Sequence, residues 1–507
     1  MKLNILKLLF TAIFCVSNLF GQTVSEKLDN YFTTTLNPIN GNILVAENGK
    51  AIYKKSFGYA DFKNKIPNSE TSRFNIASIS KTFNAVAILQ LKEKGKINID
   101  DAVKKYLPEF RYADITIRHL LSHTSGLPDF DLYDELYEKE PLRIITNKDV
   151  MPFLDKWKEP LPFKPGEKWA YSNTNYNLLV LVVEKVSGQE FNSYLQENIF
   201  AKAKMSDTYT LEDFPHRRKD ANRVVNHQLV RFYAETPVDI DNKIYPVFNQ
   251  VSYRLSGLKG DGDIVTTTDD LLKYDQSLYS GILLKQATLD EAFTPTKLNN
   301  GELAETFMNL GKNYYGLGWF IFDDVSKGKI VWHTGGIPGS LSIFLRNISK
   351  NQTVILLDNA FSNGVYKNGV NAMHILNKTT PLLVAKRSIA REYGRTLVTK
   401  GVDSAFSKLI ELQADTTNYN LDEDEMNQMG YDLFADTEIV GHQEKALEVL
   451  KLNALLFPKS WNVYDSYGEH LAKIGKKDEA IFMYRKSLEL NPDSETGKKA
   501  LEELLKK

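Results

Sequence analysis

The sequence predicts an α+β domain built on an antiparallel sheet and followed by an all-α tail. Apolar runs typical of strands lie near both ends of the first 360 residues, at 42–58 and 318–358, with helical patterns between them. From about residue 385 only helical patterns continue. Near the C-terminus, "EKALEVLKLNALLFP" and "DEAIFMYRKSLELNP" align at a spacing of 34 residues. Such a period is typical of a helical repeat.

A β-hairpin is the first predicted element. "NILVAENGKAIYKKSFG" places apolar runs on both sides of Asn48-Gly49, a pair suited to a type I′ turn. Three further strand-like runs lie at 318–323, 341–346 and 353–358, and "KIVWHTGG" lies between the first two. Because strands begin and end this domain, we expect its terminal strands to pair.

Helical patterns fill the middle of the domain. One follows "FNIA" and ends at Gly95, a short one lies within 115–128, and one follows Pro165-Gly166 and ends at Gly188. Residues 206–260 are polar, aromatic and irregular, which predicts long loops that form the wall of a binding cleft.

Residues 1–21 are typical of a secretory signal peptide. Two lysines precede an apolar run, and cleavage is expected near Gly21. Cys15, the only cysteine, lies in this segment, so the mature chain would have no disulfide and no cysteine nucleophile. No later run reaches the roughly 18 apolar residues that span a bilayer. We therefore expect an exported protein, periplasmic or secreted, without a membrane span after cleavage.

Charge and length exclude some classes of function. The 507 residues carry a formal net charge of −1, which does not favour binding to nucleic acid or to an anionic membrane surface. The length suggests more than one domain.

The 34-residue period resembles that of tetratricopeptide repeats. Pro458 and Pro492 obey it, as do Ala446 and Ala480. The resemblance implies a possible protein partner for the tail. The helical patterns between 387 and 417 are either degenerate repeats or helices that pack on the first domain.

We expect four segments along the chain. These are the signal peptide, a catalytic-type domain, a helical linker or degenerate repeat, and tetratricopeptide-like repeats with a capping helix, at 1–21, 22–380, 381–426 and 427–507.

Ser78 and Lys81 are candidates for nucleophilic chemistry. Residues three apart share a helix face, so the lysine amine can reach the serine hydroxyl and take its proton. Ser80 points about 100° away from Lys81 on a helix and is a poorer partner. The same spacing recurs at 256–259 and 326–329, so spacing alone is weak evidence.

Two later motifs strengthen the case for Ser78. Its place at a predicted helix N-terminus would let a free backbone N–H stabilise an oxyanion. Tyr171 and Asn173, in "YSN", lie in a turn before a helix. "HTGG" at 333–336 lies at a strand edge, where it could supply a second N–H and hold an extended substrate.

Six motifs in this order resemble the serine β-lactamases and penicillin-binding proteins, over roughly residues 25–375. They are "FNIASISK", "LLSHTSGLP", "PGEKWAYSNTNY", "GDGDIVTTTDDL", "YGLGWF" and "HTGG". The match is closest to the class C β-lactamase branch with its D,D-peptidase, D-aminopeptidase and esterase relatives. The resemblance implies an antiparallel sheet flanked by helices plus a helical subdomain.

The resemblance also implies roles for individual residues. Ser78 would be the acylated nucleophile, and Lys81 would help to deprotonate it. Tyr171 would shuttle protons, and Asn173 would order Lys81 and the substrate amide. No cofactor is implied.

The strand motif departs from the β-lactamase pattern. Gly336 would complete the oxyanion hole with the N–H of Ser78, and Thr334 and Gly335 would line the substrate. Where β-lactamases carry a lysine that helps hold the substrate carboxylate, this chain has His333. A histidine is only partly charged at neutral pH, so we expect peptidase or esterase chemistry rather than efficient β-lactam hydrolysis.

Other readings of the motifs have less support. His119 and His123 form H-x-x-x-H, but Leu120 stands where a metalloprotease helix has glutamate, so we predict no metal site. The chain has no G-x-S-x-G, the motif of α/β-hydrolases.

Two functions remain open. The first is an exported serine hydrolase that acts through an acyl-enzyme on a peptide, ester or lactam. The competing function is a catalytically idle sensor of peptidoglycan or peptides, with the repeats as its interaction arm. Because every chemical residue is present, the sequence favours the enzyme.

Overall fold

The structure is a computed structural model of the chain. It describes most of residues 22–506, as the ranges 22–140, 142–213, 216, 220–228, 231–234, 237–240, 254–306, 312–322, 328–381 and 386–506. The predicted signal peptide and part of the predicted loops at 206–260 lie outside the described residues. Two compact units divide the chain: Met1–His227 with Asp239–Leu383, and Gln228–Val238 with Val384–Lys507. We call them the sheet unit and the helical unit.

An antiparallel sheet of eight strands forms the centre of the sheet unit. Its strand order is β10-β11-β12-β13-β14-β15-β1-β2. The bounds are β1 Gly41–Glu47, β2 Lys50–Phe57, β10 Glu305–Thr306, β11 Asn313–Tyr315, β12 Phe320–Phe322, β13 Ile330–Ile337, β14 Ser340–Asn347 and β15 Gln352–Asp358.

The predicted hairpin and the pairing of terminal strands are both confirmed. Asn48 and Gly49 have φ values of 53° and 73°, the positive values that a type I′ turn requires at both central positions. Strand β1 pairs with β15 along its whole length, from Gly41 opposite Asp358 to Glu47 opposite Gln352. The first and last parts of the domain therefore meet as neighbouring strands of one sheet.

Both faces of the sheet are covered by apolar cores. Successive residues of a strand point to opposite faces, so neighbouring residues of β1 pack into different cores. Leu44 packs into the larger apolar core, whereas its neighbours Ile43 and Val45 pack into a second core. Two helices contribute to the second core, α1 Val24–Thr34 and α10 Val365–Leu376.

The remaining helices and short strands of the sheet unit lie between β2 and β10 in the chain. They are β3 Tyr59–Asp61, β4 Ile66–Pro67, β5 Phe74–Asn75, α2 Ser80–Glu93, α3 Ile117–Leu121, α4 Asp134–Lys139, α5 Asn147–Lys156, α6 Asn173–Ser187, α7 Phe191–Leu195, β6 Tyr209–Thr210, β9 Ile264–Thr266, α8 Thr268–Tyr279 and α9 Gln286–Ala292. A two-residue pair, β7 His227–Gln228 and β8 Val238–Asp239, lies at the boundary of the two units.

Helix α2 runs through the larger core. Every residue from Ser80 to Leu91 is buried, a pattern typical of a helix enclosed on all sides. The ring of Phe83 stacks on Tyr274 at 3.9 Å between centroids, and Phe200 contacts Phe83 edge-on. This packing fixes the first turn of α2, which carries Lys81.

The helical unit confirms the predicted all-α tail. Its helices are α11 Ile389–Lys400, α12 Val402–Gln413, α13 Glu423–Ala435, α14 His442–Leu456, α15 Trp461–Lys473, α16 Lys477–Leu490 and α17 Glu495–Lys506, with one short parallel strand pair, β16 Arg387–Ser388 and β17 Tyr419–Asn420. Side chains of α11 and α12 share one apolar core with α13 and α14. The helices after residue 387 are thus partners within the helical unit. The identity of the tail as tetratricopeptide repeats stays a prediction.

None of the helices in the described ranges combines the length and the apolar character needed to cross a membrane.

A segment from the middle of the chain belongs to the helical unit. Tyr233 is buried in its core, and its hydroxyl donates to the Asp436 carboxylate at 2.6 Å. Arg231 forms an ion pair with the same carboxylate, and Arg395 donates to the carbonyl of Ala234 at 3.1 Å. Asp436 is only 3% exposed, so it depends on these donors for the hydrogen bonds that water would otherwise provide.

Replacing Asp436 by asparagine should destabilise the helical unit. The amide cannot form the ion pair with Arg231 and retains only one acceptor oxygen for the donors around it. We expect a loss of about 1–3 kcal/mol in the free energy of unfolding, measured by urea titration with far-UV circular dichroism. Asp478→Asn, at an exposed position of α16, is the matched control. Equal stability of the two variants would contradict this account.

Candidate active site

Ser78 lies in a single 3₁₀ turn, Ala77–Ile79, directly before α2. Ala77 has a φ of 46°, a left-handed conformation that costs a non-glycine residue roughly 1–2 kcal/mol. The side chain of Asn75 holds it there by accepting the N–H of Ala77 at 2.6 Å. Backbone strain of this kind is frequent at functional sites.

The ammonium of Lys81 lies at the centre of the site. Lys81 is 0% exposed, and its Nζ donates to Ser78 Oγ at 3.0 Å, Asn173 Oδ1 at 2.7 Å and the Asp261 carbonyl at 2.7 Å. Three donors thus meet three acceptors from distant parts of the chain. The arrangement brings the predicted nucleophile and its predicted base into direct contact.

Ser80 takes no part in this contact. It is 1% exposed, and its Oγ accepts the N–H of Ile264 at 3.1 Å. Its hydroxyl therefore ties α2 to strand β9.

Tyr171 lies beside Lys81, with the Lys81 Nζ 5.0 Å from its ring centroid. The ring stacks on His123, at 4.2 Å between centroids and 28° between planes. Ser172 is the extended N-cap of α6, so Tyr171 lies in the turn and Asn173 opens the helix, as expected from "YSN". The proton-shuttle role of Tyr171 stays a prediction.

His123 packs against this turn and forms hydrogen bonds with it. Its Nδ1 is 3.2 Å from both Ser172 N and Asn175 Nδ2, which are donors, so Nε2 carries the ring proton. Complete burial, with the nearby charge of Lys81 as a smaller cause, holds the pKa of His123 well below its usual value. The imidazole is therefore neutral. His119 has a different local role, since its Nδ1 accepts the N–H of Thr116 at the start of α3.

Strands β13 and β14 both approach the nucleophile turn closely. The hydroxyls of Ser340 and Ser342, at the start of β14, donate to the carbonyls of Asn75 and Ile76, each at 2.8 Å. A Cβ at Gly335 would lie 2.1 Å from the Ile76 carbonyl oxygen, so only glycine fits there. The predicted substrate strand is thereby joined to the turn that carries Ser78.

Tyr366 of α10 contacts the end of "HTGG". Its hydroxyl donates to the Gly335 carbonyl at 2.9 Å. Because the peptide bond is trans, the N–H of Gly336 points away from this carbonyl. Gly336 itself is exposed, whereas Thr334 is 7% exposed. The oxyanion-hole role of Gly336 and the substrate contacts of Thr334 and Gly335 stay predictions.

His333 is buried and uncharged. It is 1% exposed, its Nδ1 is 2.6 Å from the Thr334 carbonyl, and its Nε2 is 3.3 Å from the Tyr315 hydroxyl. Burial, with a smaller effect from Lys81, lowers the pKa of His333 to about 3. The ring therefore adds no positive charge at neutral pH. A substrate contact by His333 stays a prediction, and it would involve a neutral ring.

Three residues that support the site, His123, Tyr366 and Asp129, could not be identified as such from the motifs. His123 was part of a recognised motif, but nothing in the sequence shows that its ring stacks on Tyr171. Tyr366 lies 31 residues beyond its partner Gly335, and Asp129 lies 44 residues before its partner Asn173. Neither carries a local pattern that distinguishes it from other surface-type residues.

An antiparallel sheet packed on a helical core, with a Ser-Lys pair between them, defines the class of serine hydrolases that contains β-lactamases and penicillin-binding proteins. Residues 32–375 match the Beta-lactamase family, and the chain belongs to that family. This confirms the family suggested by the ordered motifs.

Relatives and solved structures agree with this assignment. The chain is 36% identical over 345 residues to penicillin-binding protein 4* of Bacillus subtilis, which covers 66% of this chain and 72% of that protein. A penicillin-binding protein from Bacillus halodurans superposes with a TM-score of 0.56 at 27% identity, covering 70% of this chain and all of that one. A D-amino acid amidase from Ochrobactrum anthropi has a TM-score of 0.55 at 23% identity, covering 70% and 97%, and shows the shared fold.

Removing the imidazole of His333 should make the sheet unit less sensitive to acid. Between pH 6.5 and about 3, the His333 ring binds a proton in the unfolded chain but not in the native protein. The free energy of unfolding therefore falls as the pH is lowered through this range. In His333→Gln we expect the slope of unfolding free energy against pH to be shallower by up to about 1.4 kcal/mol per pH unit.

The measurement is urea unfolding between pH 4 and 7, followed by tryptophan fluorescence. Four of the five tryptophans, at 157, 169, 319 and 332, lie in the sheet unit. His216→Gln changes an exposed histidine and is the control. Parallel slopes for wild type and His333→Gln would refute the neutral assignment.

Proposed function

We propose that the protein is an exported serine hydrolase that forms an acyl-enzyme on Ser78. The observation that carries the proposal is the 3.0 Å contact between Ser78 Oγ and Lys81 Nζ, inside a member of the Beta-lactamase family. A serine becomes a useful nucleophile when an adjacent base can take its proton.

The reaction would proceed in two acyl-transfer steps. In the reacting form Lys81 is the neutral amine, with its two N–H groups on Asn173 Oδ1 and the Asp261 carbonyl and its lone pair towards Ser78. Ser78 Oγ attacks the substrate carbonyl carbon while its proton passes to Lys81 Nζ and on through Tyr171 towards the leaving group. The N–H groups of Ser78 and Gly336 stabilise the oxyanion, and the leaving group departs with that proton. Water then attacks the ester carbonyl, its proton returns through the same pair to Ser78, and the free acid is released.

The expected substrates are amides, esters or peptides of the D-amino-acid type rather than β-lactams. The neutral ring of His333 stands where β-lactamases have a cation that helps hold the substrate carboxylate. The structural similarity to a D-amino acid amidase is in keeping with this preference.

The proposal includes export of the protein from the cytoplasm. The pattern of residues 1–21 supports a periplasmic or secreted location, where peptidoglycan-type peptides are accessible. A role of the helical unit as an arm that binds a protein partner stays a prediction.

The Ser78→Ala variant tests the chemistry. With p-nitrophenyl esters and D-amino-acid amides we expect kcat/KM to fall by roughly a thousandfold or more, because the attacking atom is removed. A fluorophosphonate probe should add its mass to the wild type and not to Ser78→Ala. Ser80→Ala is the matched control, since that serine hydroxyl is engaged by Ile264, and it should still be labelled at Ser78.

If the wild type is inert towards every substrate and probe, the hydrolase proposal fails. Tight binding of a peptidoglycan peptide by such an inert protein would then favour the sensor function.

A matched pair of substrates tests the substrate class. N-acetyl-D-alanyl-D-alanine and its C-terminal amide differ only in the carboxylate. In the absence of a cation at residue 333, the free acid loses a charged contact worth about 1.5–3 kcal/mol. We therefore expect the amide to be hydrolysed with a kcat/KM at least equal to that of the acid. A tenfold or greater preference for the acid would show that another group supplies the missing charge.

A further inference from the structure

Asp129 joins the catalytic group through Asn173. It follows "LLSHTSGLP" and is half-buried. One carboxylate oxygen accepts the backbone N–H of Asn173 at 2.7 Å, and the other accepts the side-chain Nδ2 at 3.1 Å. The adjacent residues are also linked, because the Ser172 hydroxyl donates to the Pro128 carbonyl at 3.1 Å.

These contacts determine which way the Asn173 amide faces. The amide has an acceptor end and a donor end of nearly the same shape. Lys81 donates an N–H to Asn173 whether its amine is neutral or protonated, so it requires the oxygen, and an ionised carboxylate can only accept, so it requires the NH₂ group. With Lys81 on one side and Asp129 on the other, only one orientation satisfies all three groups.

We propose that Asp129 is a positioning residue of the reaction: it holds Oδ1 of Asn173 towards Lys81 and thereby keeps Lys81 in contact with Ser78. The proposal rests on the proposed function. The resulting line of contacts runs from the Asp129 carboxylate through Asn173 and Lys81 to the Ser78 hydroxyl, with successive distances of 3.1, 2.7 and 3.0 Å.

A different role for Asp129 would be to cap α6, because Asn173 is the first residue of that helix. The two roles predict different effects of Asp129→Asn. As a cap, asparagine is nearly equivalent to aspartate, since one oxygen still accepts the Asn173 N–H. As a positioning group, asparagine at 129 should fail, because its NH₂ would face the NH₂ of Asn173. This clash would favour a flip of the Asn173 amide that turns Oδ1 away from Lys81.

Exchanging the two side chains should restore the arrangement. In the double variant Asp129→Asn/Asn173→Asp, the carboxylate at 173 accepts from both Lys81 and the new amide at 129. Asn173→Asp alone places two carboxylates against each other, which repel when both are ionised. Rescue by the exchange therefore reports on hydrogen-bond polarity and not on packing.

The experiment measures the acylation rate constant with p-nitrophenyl acetate or a fluorophosphonate, together with the urea midpoint of each variant. We expect Asp129→Asn to acylate 10- to 100-fold more slowly with a nearly unchanged midpoint, and the double variant to recover at least tenfold. Asp131→Asn, two residues on at an exposed position, should behave as wild type.

The outcomes separate the two proposals. An active wild type with an equally active Asp129→Asn overturns the role of Asp129 and leaves the hydrolase function intact. The role of Asp129 is also overturned if the double variant acylates no faster than Asp129→Asn. It is overturned as well if the slower acylation of Asp129→Asn is accompanied by an equivalent loss of stability. An inert wild type overturns the hydrolase function and, with it, any reaction for Asp129 to serve.

Discussion

The burial of one ammonium group organises the sheet unit. A charged amine without solvent contact is costly unless every N–H finds an acceptor. Lys81 finds its three acceptors on the nucleophile turn, at the start of α6 and on the loop before β9. These elements are separated by up to 180 residues in the chain and must all be in place before the charge is satisfied. The same contacts that stabilise the buried charge also direct it at Ser78, so folding and the contact between Lys81 and Ser78 depend on the same atoms.

Lys81 is the principal positive charge among the side chains described at the site. His123 and His333 both lie in its field, and burial keeps both rings neutral. Burial likewise raises the pKa of the nearby carboxyls of Asp129, Asp261 and Asp263. Such a site suits the development of an oxyanion, because a low local dielectric strengthens each hydrogen bond to it.

Much of the fold and the contact between Ser78 and Lys81 could be predicted from the sequence because their signals are local. Asn48-Gly49 encodes its own turn, and Ser78 and Lys81 are neighbours along one helical turn. Six motifs in a fixed order then distinguished this Ser-Lys pair from two others with the same spacing. The pairing of β1 with β15 followed from the position of strands at both ends of the domain.

The supporting contacts could not be predicted, since they depend on residues that meet only after folding. Asp129, Tyr366 and the stacked ring of His123 have no local pattern that points to Asn173, Gly335 or Tyr171. The neutrality of His333 is also a product of burial, which sequence alone does not reveal. The sequence shows that residue 333 is a histidine, which can be charged or neutral near pH 7. Only its burial, at 1% exposure, shows that the ring is neutral.

The buried position of Tyr233 bears on how the two units could have been joined. A tail added after a complete domain would share with it only the covalent connection at residue 383. Here residues 228–238 contribute a core side chain and an ion-pair partner to the helical unit, although they lie more than 140 residues before its first helix. The helices therefore do not form an interchangeable module: transplanted onto another catalytic domain, they would lack a piece of their own core. Changes in the mid-chain loop and in the tail should consequently be inherited together.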